Sequence, residues 1–552
     1  MGYLPYKETV FSGDALVPQQ NSLSLSLSLS LSLSLSLSLS RLKSTLSERR
    51  RELLWAFAIF FLVYAWFICN FLFGNHDWGM ILSPVLGYAK TWQSRPFAFM
   101  PLQLWQGFYL PVVTPFFSLL AWFAAGTLFL ALLPASREMP GRSFFLALLL
   151  FVLSPTLLGR LYYEGAGIGE NVAMCGFLLG ANFCVHDRGR ISLLLAVALF
   201  GFALGVNQCI VNTFWTVLLI LLLCAPAGAE KAPFLRYGGA FAVALGIYFV
   251  MIKFVLPVQV FYNNQIAAPE AFLKNLLPQL KASVAYFWQT QPPMNRLFKV
   301  LFSLICLGGF VLLLARPNKA GARAASQAPG RLCAGVFAMR LLLIAALVLT
   351  HNVSAYVSGN AYANTFQLRM DYYSIPFILC FSAVVVLGAS GLWGALFKAA
   401  AALLVLLSMG GDVRALQVWK ISIDDDLLYA NRMLTRIEAS PDFAAERAWR
   451  VLALGERPNF GNRFWPGYDH SSLQLQRPMH LGRNFAEVFN YIAPQLKLSN
   501  FTGESADLCA RYKTFLDAAP AWPSPDSLKV GGEEGLILVV LDRAAAQRYC
   551  AR

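Results

Sequence analysis

The amino-acid sequence predicts an all-α polytopic membrane protein of about eleven transmembrane helices, followed by a small C-terminal α/β domain. Of the 552 residues, 57% are hydrophobic and only 13% are charged, whereas about 25% of residues are charged in soluble domains. Apolar runs of about 17 to 25 residues recur along the chain, and each is long enough to cross ~30 Å of hydrocarbon as a helix. The composition therefore excludes an ordinary soluble domain.

Basic residues between the apolar runs predict the topology. Arg49, Arg50 and Arg51 directly precede the first run, and positive charge that flanks a span stays in the cytoplasm. The N-terminus is therefore predicted to be cytoplasmic. Because the net charge of +15 resides mostly in such loops, nucleic-acid binding is not expected. The predicted spans are residues 53–73, 108–134, 143–159, 171–185, 191–207, 209–225, 235–256, 297–315, 334–351, 372–393 and 394–410.

The first 48 residues are predicted to be a low-complexity cytoplasmic tail. Residues 22–40 alternate strictly between Ser and Leu, which is a strand period without a partner strand or a turn signal. Basic residues follow this run rather than precede it, so it is not a signal peptide. Residues 49–410 then form the predicted transmembrane domain.

The chain from residue 411 to 552 is predicted to be a small α/β domain. The segment "DDDLLYANRMLTRIEASPDF" predicts a surface helix that begins at Asp424, and "RVLALGE" and "GLILVVLD" predict two short buried strands. With eleven spans this domain lies outside, in the periplasm of a bacterium. Cys509 and Cys550 are its two cysteines, and they could form a disulfide if the domain faces an oxidising compartment.

A single carboxylate lies directly beyond the first predicted span. Asp77 stands between His76 and Trp78 in "NFLFGNHDWGMIL" and opens a segment of about 34 residues rich in aromatic side chains, which suits helices on the membrane surface. Two roles are open for Asp77: a general base at the interface, worth about 10²–10⁴-fold in rate, or the cap of an interfacial helix.

Three arginines near the predicted outer membrane surface are candidates for binding a lipid phosphate, one in the interfacial segment and two at the outer ends of predicted spans. Arg95, Arg296 and Arg369 each carry a planar guanidinium group that pairs with phosphate oxygens. Each could equally anchor the chain to lipid headgroups, and Asp371 could pair with Arg369.

Further polar residues near the predicted outer surface are candidates for binding a sugar acceptor. Acidic residues flank glycines in a predicted outer loop, amides end a span, and an amide-rich segment lies in the long outer loop 257–296. The amides at the span end could instead form hydrogen bonds between helices. These candidates are Glu164, Glu170, Asn207, Gln208, Tyr262, Asn263, Asn264 and Gln265.

No metal or cofactor site is predicted. Asp424, Asp425 and Asp426 form an acidic run, but carboxylates in the first turn of a helix are explained by the helix dipole. Neither His nor Cys accompanies them, so the sequence does not support a divalent-metal site.

The order of these motifs resembles the type II glucosyl transferase family, the bacterial and phage-encoded enzymes of the lipid-donor GT-C class that decorate O-antigen. The matching features are the acidic residue after the first span, the interfacial segment, and Ser-Arg-Pro before the second span. "GVNQCIVN" at a span end, "VFYNNQ" in the long outer loop and the C-terminal domain complete the match. The resemblance covers the chain from Leu53 to the C-terminus.

The resemblance implies an inverting hexosyltransferase of the bacterial inner membrane, with a GT-C-like fold. It would move a sugar, glucose by resemblance, from undecaprenyl phosphate to a periplasmic glycan such as lipopolysaccharide O-antigen. Asp77 would be the general base, the three arginines would hold the donor phosphate, and His76 and Trp78 would contact substrate. Implied partners are membrane lipids, a donor-synthesising glycosyltransferase and a flippase.

Two other classes of protein are open from the sequence. One is a transporter or flippase of a lipid-linked sugar, although transporters often show repeated halves and the spans here show none. The other is a glycan polymerase or ligase, which would use the same class of substrate.

Overall fold

A computed structural model describes most of the chain, and the architecture below concerns these residues. They are residues 43–44, 46–70, 72, 81, 95–161, 164–187, 189–225, 230–255, 278, 281, 288, 295–315, 329–350, 372–455, 485–501, 505–531 and 534–550.

The described chain is mostly helical, with one small sheet near the C-terminus. Apolar helices make up most of the described residues between 50 and 438. These helices are α1 (Arg50–Cys69), α2 (Val113–Leu132), α3 (Gly141–Val152), α4 (Glu164–His186), α5 (Arg190–Val206), α6 (Ile210–Cys224), α7 (Ala232–Val250), α8 (Arg296–Ala315), α9 (Pro329–Leu349), α10 (Ile375–Leu387) and α11 (Gly391–Glu438).

Seven of the described helices are long and apolar enough to cross a membrane. They are α1, α2, α3 continued to Leu161, α4 from Gly167, α7 continued to Val255, α8 and α11. The other four helices, α5, α6, α9 from Gly335 and α10, are apolar but shorter. Since an α-helix rises 1.5 Å per residue, the 13 residues of α10 reach about 20 Å. The mostly helical fold is confirmed, and the count of eleven spans stays a prediction.

Large apolar side chains cover the outside of the helical region. Leu62 is 74% exposed, Leu235 72% and Leu392 73%, a pattern that water does not stabilise and that lipid tails do. The helix α7 with its continuation has only 17% of its most apolar window buried inside the protein. The exposed apolar surface therefore matches a protein embedded in hydrocarbon.

Contacts at the helix ends define one face of the bundle. The Arg49 guanidinium donates hydrogen bonds to the carbonyls of Arg137 (2.9 Å) and Met139 (2.7 Å), which ties the start of α1 to the connection between α2 and α3. Arg236 at the start of α7 donates to the carbonyl of Gly189 at 2.9 Å. We call this end of the bundle, which carries Arg49–Arg51, Arg137, Arg142, Arg190 and Arg236, the basic face, and the other end the opposite face.

Helix α11 has 48 residues and runs past residue 410, where the sequence-based domain boundary was placed, without a break. At 1.5 Å per residue it is about 72 Å long. It lies along α1, because buried Tyr64 donates a hydrogen bond to buried Asp412 at 2.8 Å and the rings of Phe67 and Trp419 are 5.7 Å apart. The remaining half of α11 extends beyond the opposite face and into the C-terminal domain.

The prediction that Asp424 begins a helix is wrong. Asp424 lies inside α11, where it forms an ion pair with Lys420 one turn earlier, and Asp426 is buried. The polar composition of this stretch reflects the point at which α11 leaves the apolar region, and a drop in hydropathy alone does not end a helix.

The C-terminal domain is a four-stranded mixed sheet with helices packed on it. The strands β1 (Ala448–Leu454), β2 (Lys497–Asn500), β3 (Leu528–Gly531) and β4 (Leu536–Val540) lie in the order β2-β1-β4-β3. Strand β1 is parallel to β2 and β4, whereas β3 is antiparallel to β4. The two predicted strands are confirmed as β1 and β4, which form the buried centre of the sheet.

Three helices and one aromatic contact complete the domain. The helices are α12 (Phe485–Ile492), α13 (Ser505–Ala518) and α14 (Arg543–Cys550). Trp522 packs against α11, since Tyr429 lies 6.0 Å from its ring and the Arg436 guanidinium lies 4.6 Å above it. The sheet is therefore attached to the end of α11 through packed side chains.

Cys509 and Cys550 form a disulfide that joins α13 to α14, with the two Cα atoms 5.4 Å apart. The sequence left this pairing open. Because the bond closes a loop with a sequence separation of 41 residues, it restricts the unfolded chain and stabilises the domain by about 3–4 kcal/mol.

We expect reduction of the unfolded chain to expose two additional thiols, those of Cys509 and Cys550. Thiol-specific mass tags counted on a gel before and after reduction measure this increment. Cys509→Ser should abolish the increment and lower the stability of the domain, because Cys550 then has no partner. As a control, Cys69→Ser, which removes an exposed free cysteine, should leave the increment at two. An increment of zero in the unaltered chain would contradict the disulfide.

Candidate functional site

Charged and polar side chains meet inside the bundle at its opposite face. After α3 the chain forms a 3-10 turn, Pro155–Leu157, and a helical turn, Leu158–Leu161. Arg160 on this turn forms an ion pair with Glu170 on α4, and each side chain is only 1% exposed. We call the ion pair and the side chains that contact it the Glu170 cluster.

Two further residues contact the Glu170 carboxylate. Asn207, at the end of α5, donates a hydrogen bond from Nδ2 to Glu170 Oε1 at 2.6 Å. Its own Oδ1 accepts a hydrogen bond from the backbone N–H of Cys209 at 3.0 Å, which fixes the amide orientation. Arg95 Nη1 lies 3.9 Å from the same Glu170 oxygen. The carboxylate therefore joins three separate parts of the chain.

Glycines bring Arg95 to this position. The backbone after Arg95 lies directly on α4 and α5, because the N–H of Phe97 donates to the carbonyl of Gly205 at 3.1 Å. A Cβ at Gly205 would collide with the Phe97 ring, and a Cβ at Gly169 would collide with the carbonyl oxygen of Ala98. Close approach of backbone to helix thus requires glycine at both positions.

The prediction that Glu164 and Glu170 lie in an outer loop is wrong. Glu164 and Glu170 were placed in an outer loop between the predicted spans 143–159 and 171–185, but both lie in α4, which begins at Glu164. Glycine lowers helix propensity by about 1 kcal/mol relative to alanine, and packing against residues 97–98 outweighs this cost here.

Two tyrosines cover the Arg160 guanidinium. It lies 5.1 Å from the ring centre of Tyr372 and 4.8 Å from that of Tyr373, just before α10. Such cation–π contacts stabilise a desolvated guanidinium by about 2 kcal/mol. Tyr372 donates a hydrogen bond to Asn171 Oδ1, and Asn171 Nδ2 donates to Ser118 Oγ at 2.8 Å. The cluster is thereby connected to α2.

The two arginines of the cluster differ in exposure. Two guanidinium groups, of Arg95 and Arg160, face one carboxylate, of Glu170. Arg160 is buried, whereas the Arg95 side chain is 17% exposed. Arg95 is therefore the more exposed of the two cationic side chains of the cluster.

The structure brings together three of the residues predicted from the sequence and leaves two others apart. Arg95, Glu170 and Asn207 are in contact, as described above. Gln208 instead donates a hydrogen bond to the Tyr248 hydroxyl on α7 at 2.7 Å. Arg296 is exposed at the start of α8 and forms no ion pair with the described residues of the cluster. The hydrogen bonds of Asn207 and Gln208 match the interhelical role that the sequence left open for these two amides.

The remaining predicted site residues lie outside the described part of the chain, and for Glu164 only the backbone is described. They are His76, Asp77, Trp78, Tyr262, Asn263, Asn264, Gln265 and Arg369.

Sequence reasoning missed Arg160, Asn171, Tyr372 and Tyr373. Arg160 directly follows a predicted span that ends at residue 159, so it was taken as part of a loop. Charged residues within a membrane span usually face the protein interior or a cavity, but an arginine just beyond a span end can equally extend to lipid headgroups, so the sequence did not separate the two positions. The sequence carried no signal for Tyr372 and Tyr373, since aromatic residues are common at both membrane interfaces.

Within the part of the chain that the structure describes, no group of three or more His, Cys, Asp or Glu side chains could hold a metal ion. Comparisons of the chain with models of known protein families, with curated proteins and with solved structures find no match. The resemblance of the motif order to type II glucosyl transferases therefore stays a prediction.

We expect Glu170→Gln to lower the free energy of unfolding by about 3–5 kcal/mol, because it leaves the buried Arg160 charge without its carboxylate. The midpoint of heat-induced loss of monodisperse protein in detergent measures the change. Glu138→Gln makes the same chemical change at an exposed position and should cost less than about 0.5 kcal/mol.

The double variant Arg160→Met/Glu170→Gln measures how much of the stability loss comes from the interaction between the two charges. It removes both charges, so its loss of stability should be smaller than the sum of the two single losses. Equal stability of Glu170→Gln and Glu138→Gln would contradict the structural role of the ion pair.

Proposed function

We propose that this protein is an integral-membrane glycosyltransferase that uses a polyprenyl-phosphate sugar as donor. The observation that carries the proposal is the Glu170 cluster, in which Arg95 presents a guanidinium group at the end of the helical bundle. A lipid-linked phosphate is confined to this depth by its hydrocarbon tail, and guanidinium is the side chain best suited to bind it in two hydrogen bonds.

The cluster supports a phosphate-binding role for Arg95 because it holds the side chain in place before the donor arrives. Glu170 balances one guanidinium charge, and Arg160 and Asn207 keep the carboxylate fixed. A preorganised cation stabilises charge on a leaving group without reorganising during the reaction. Arg95 is thus the donor-binding residue in this proposal, and Glu170, Arg160 and Asn207 are positioning residues.

The reaction requires a base in addition to a phosphate-binding cation. The acceptor hydroxyl loses its proton to Asp77 and its oxygen attacks the anomeric carbon. The bond from that carbon to the phosphate oxygen breaks, and polyprenyl phosphate leaves with the electron pair. Asp77 stands 18 residues before Arg95 in the interfacial segment, and general-base catalysis of this kind contributes about 10²–10⁴-fold.

The disulfide supports an orientation for the proposed enzyme. Structural disulfides persist in oxidising compartments, such as the bacterial periplasm, and are rare in the cytosol. Helix α11 carries the domain that contains Cys509 and Cys550 beyond the opposite face. In this proposal the Glu170 cluster and the C-terminal domain therefore lie on the periplasmic side of the inner membrane, and the acceptor is a periplasmic glycan such as lipopolysaccharide O-antigen, with glucose as the sugar.

We expect Asp77→Asn to lower turnover by about 10²–10⁴-fold while donor binding stays close to that of the unaltered protein. Asparagine caps a helix as well as aspartate does, so a capping role alone predicts almost full activity. Transfer of radiolabelled sugar from undecaprenyl phosphate to lipopolysaccharide by the purified protein measures turnover. Near-normal turnover of Asp77→Asn would show that another group is the base.

Two further variants are measured in the same assay, one as a control and one as a test of donor binding. Asp442→Asn makes the same change on an exposed turn after α11 and should retain full activity. Arg95→Ala should raise the KM for the donor, because the phosphate loses a charged partner. An Arg95→Ala protein with unchanged donor KM and reduced stability would indicate a structural role only.

A further inference from the structure

A groove with basic side chains lies at the basic face, at the end of the bundle distant from the Glu170 cluster. It consists of two adjoining cavities that share Arg51 and Trp55. One cavity, of about 400 Å³, lies between the start of α1 and the start of α3 and is lined by Arg142 and Phe145. The other, of about 630 Å³, follows α1.

Arg49 does not line the groove, but its contacts hold together the two helices that form the groove. Its guanidinium donates to the carbonyls of Arg137 and Met139 and lies 5.4 Å from the Phe144 ring. These contacts hold the start of α3 against α1. They place Arg142 beside Arg51 in one cavity, and Arg50 lines the other.

The guanidinium groups of the groove are available to an anion. Arg50, Arg51 and Arg142 are exposed, and none of them forms an ion pair with another described residue. Of the two acidic side chains in the lining, Glu52 lies against Gly141 at the N-terminus of α3, where the helix dipole stabilises a carboxylate. Three arginines against Glu48 and Glu52 leave the groove positively charged.

Apolar surface continues from the groove along α1. Leu54, Ala58 and Leu62 follow one another at intervals of four residues and are all exposed, so they form one stripe about 12 Å long on the helix. Trp55, 61% exposed, directly follows Leu54 at the start of this stripe, one turn after Arg51, and tryptophan is enriched at membrane–water interfaces.

We propose that this groove binds the headgroup of an anionic phospholipid, with an acyl chain along the stripe of Leu54, Ala58 and Leu62. Along α1 the exposed arginines come first and the aliphatic stripe follows, which is the order of a phospholipid from phosphate to acyl chain. Basic pockets between membrane helices bind acidic headgroups by the same chemistry. The inference rests on the membrane insertion proposed above and is independent of glycosyl transfer.

The test is a titration of the purified, delipidated full-length chain in detergent with fluorescent phosphatidylglycerol. Phosphatidylcholine and glycerol 3-phosphate are the comparison ligands, and R51Q/R142Q is the test variant. Since each basic side chain near an anionic lipid surface contributes about 1 kcal/mol, which is about fivefold in affinity, the double variant should bind phosphatidylglycerol about 30-fold more weakly. R142Q alone should weaken binding about fivefold, and this single variant replaces the double variant as the test if the double variant does not fold.

The control variant is R190Q/K231Q, which removes two exposed positive charges from the same face but outside the groove. It should bind phosphatidylglycerol as the unaltered protein does. Equal weakening in both double variants would overturn the proposal in favour of general surface charge. Equal binding of phosphatidylcholine would overturn the selection for anionic lipid, and equally tight binding of glycerol 3-phosphate would overturn the role of the acyl chain.

The outcome also separates this inference from the proposed function. A chain that does not incorporate into phosphatidylcholine bilayers would contradict membrane insertion and with it both proposals. A chain that incorporates and transfers sugar, but shows no preference for phosphatidylglycerol, would overturn the groove alone.

Discussion

The buried ion pair between Arg160 and Glu170 is the interaction on which the opposite face of the bundle depends. Removing two charges from water costs several kcal/mol per ion, so the pair persists only with further partners around it. Asn207 satisfies one carboxylate oxygen, and Tyr372 and Tyr373 cover the guanidinium. Through these contacts one carboxylate fixes the ends of α4 and α5, the turn after α3 and the residues before α10.

This constraint also relates the interfacial segment to the bundle. Residues 95–99 lie against Gly169 and Gly205, and Arg95 completes the group around Glu170. The arrangement resembles other sites in which a charged residue that binds a ligand is held by residues that do not touch it. Arg160 fixes the Glu170 carboxylate, and this carboxylate lies 3.9 Å from Arg95.

The two ends of the bundle differ in how arginine is used. At the basic face, Arg49 binds backbone carbonyls while Arg50, Arg51 and Arg142 stay exposed. At the opposite face, Arg160 is buried and paired. Helix α11 extends past that face and carries the C-terminal sheet, which packs on it through Trp522. The long helix is the covalent link between the bundle and the C-terminal domain.

Much of the fold could be predicted because apolar runs report burial in lipid or protein directly. Each predicted span contains an apolar helix, and the two most apolar segments of the tail are β1 and β4. Hydropathy could not show that α11 continues through Asp424–Asp426, because helix continuity depends on backbone hydrogen bonds rather than on polarity. It also could not show that Arg160 belongs to the interior, since its partner Glu170 is a tertiary neighbour.

Residue type predicted the candidate site residues, but only tertiary contacts determine which of these residues meet. Arg95, Glu170 and Asn207 were chosen for their chemistry near the predicted outer surface, and they do meet. Gln208 was chosen for the same reason and contacts Tyr248 instead. Adjacent residues at a helix end point in different directions, and only the packing of the next helix decides which one enters the cluster.

Photo-cross-linking of the donor tests the central claim most directly. A polyprenyl-phosphate sugar with a photoactivatable group on its first isoprene unit would be bound to the purified chain, cross-linked and mapped by mass spectrometry. The account predicts cross-links in residues 95–105 and near the start of α4, which unlabelled donor suppresses. Cross-links confined to the start of α1 and α3 at the basic face would contradict it.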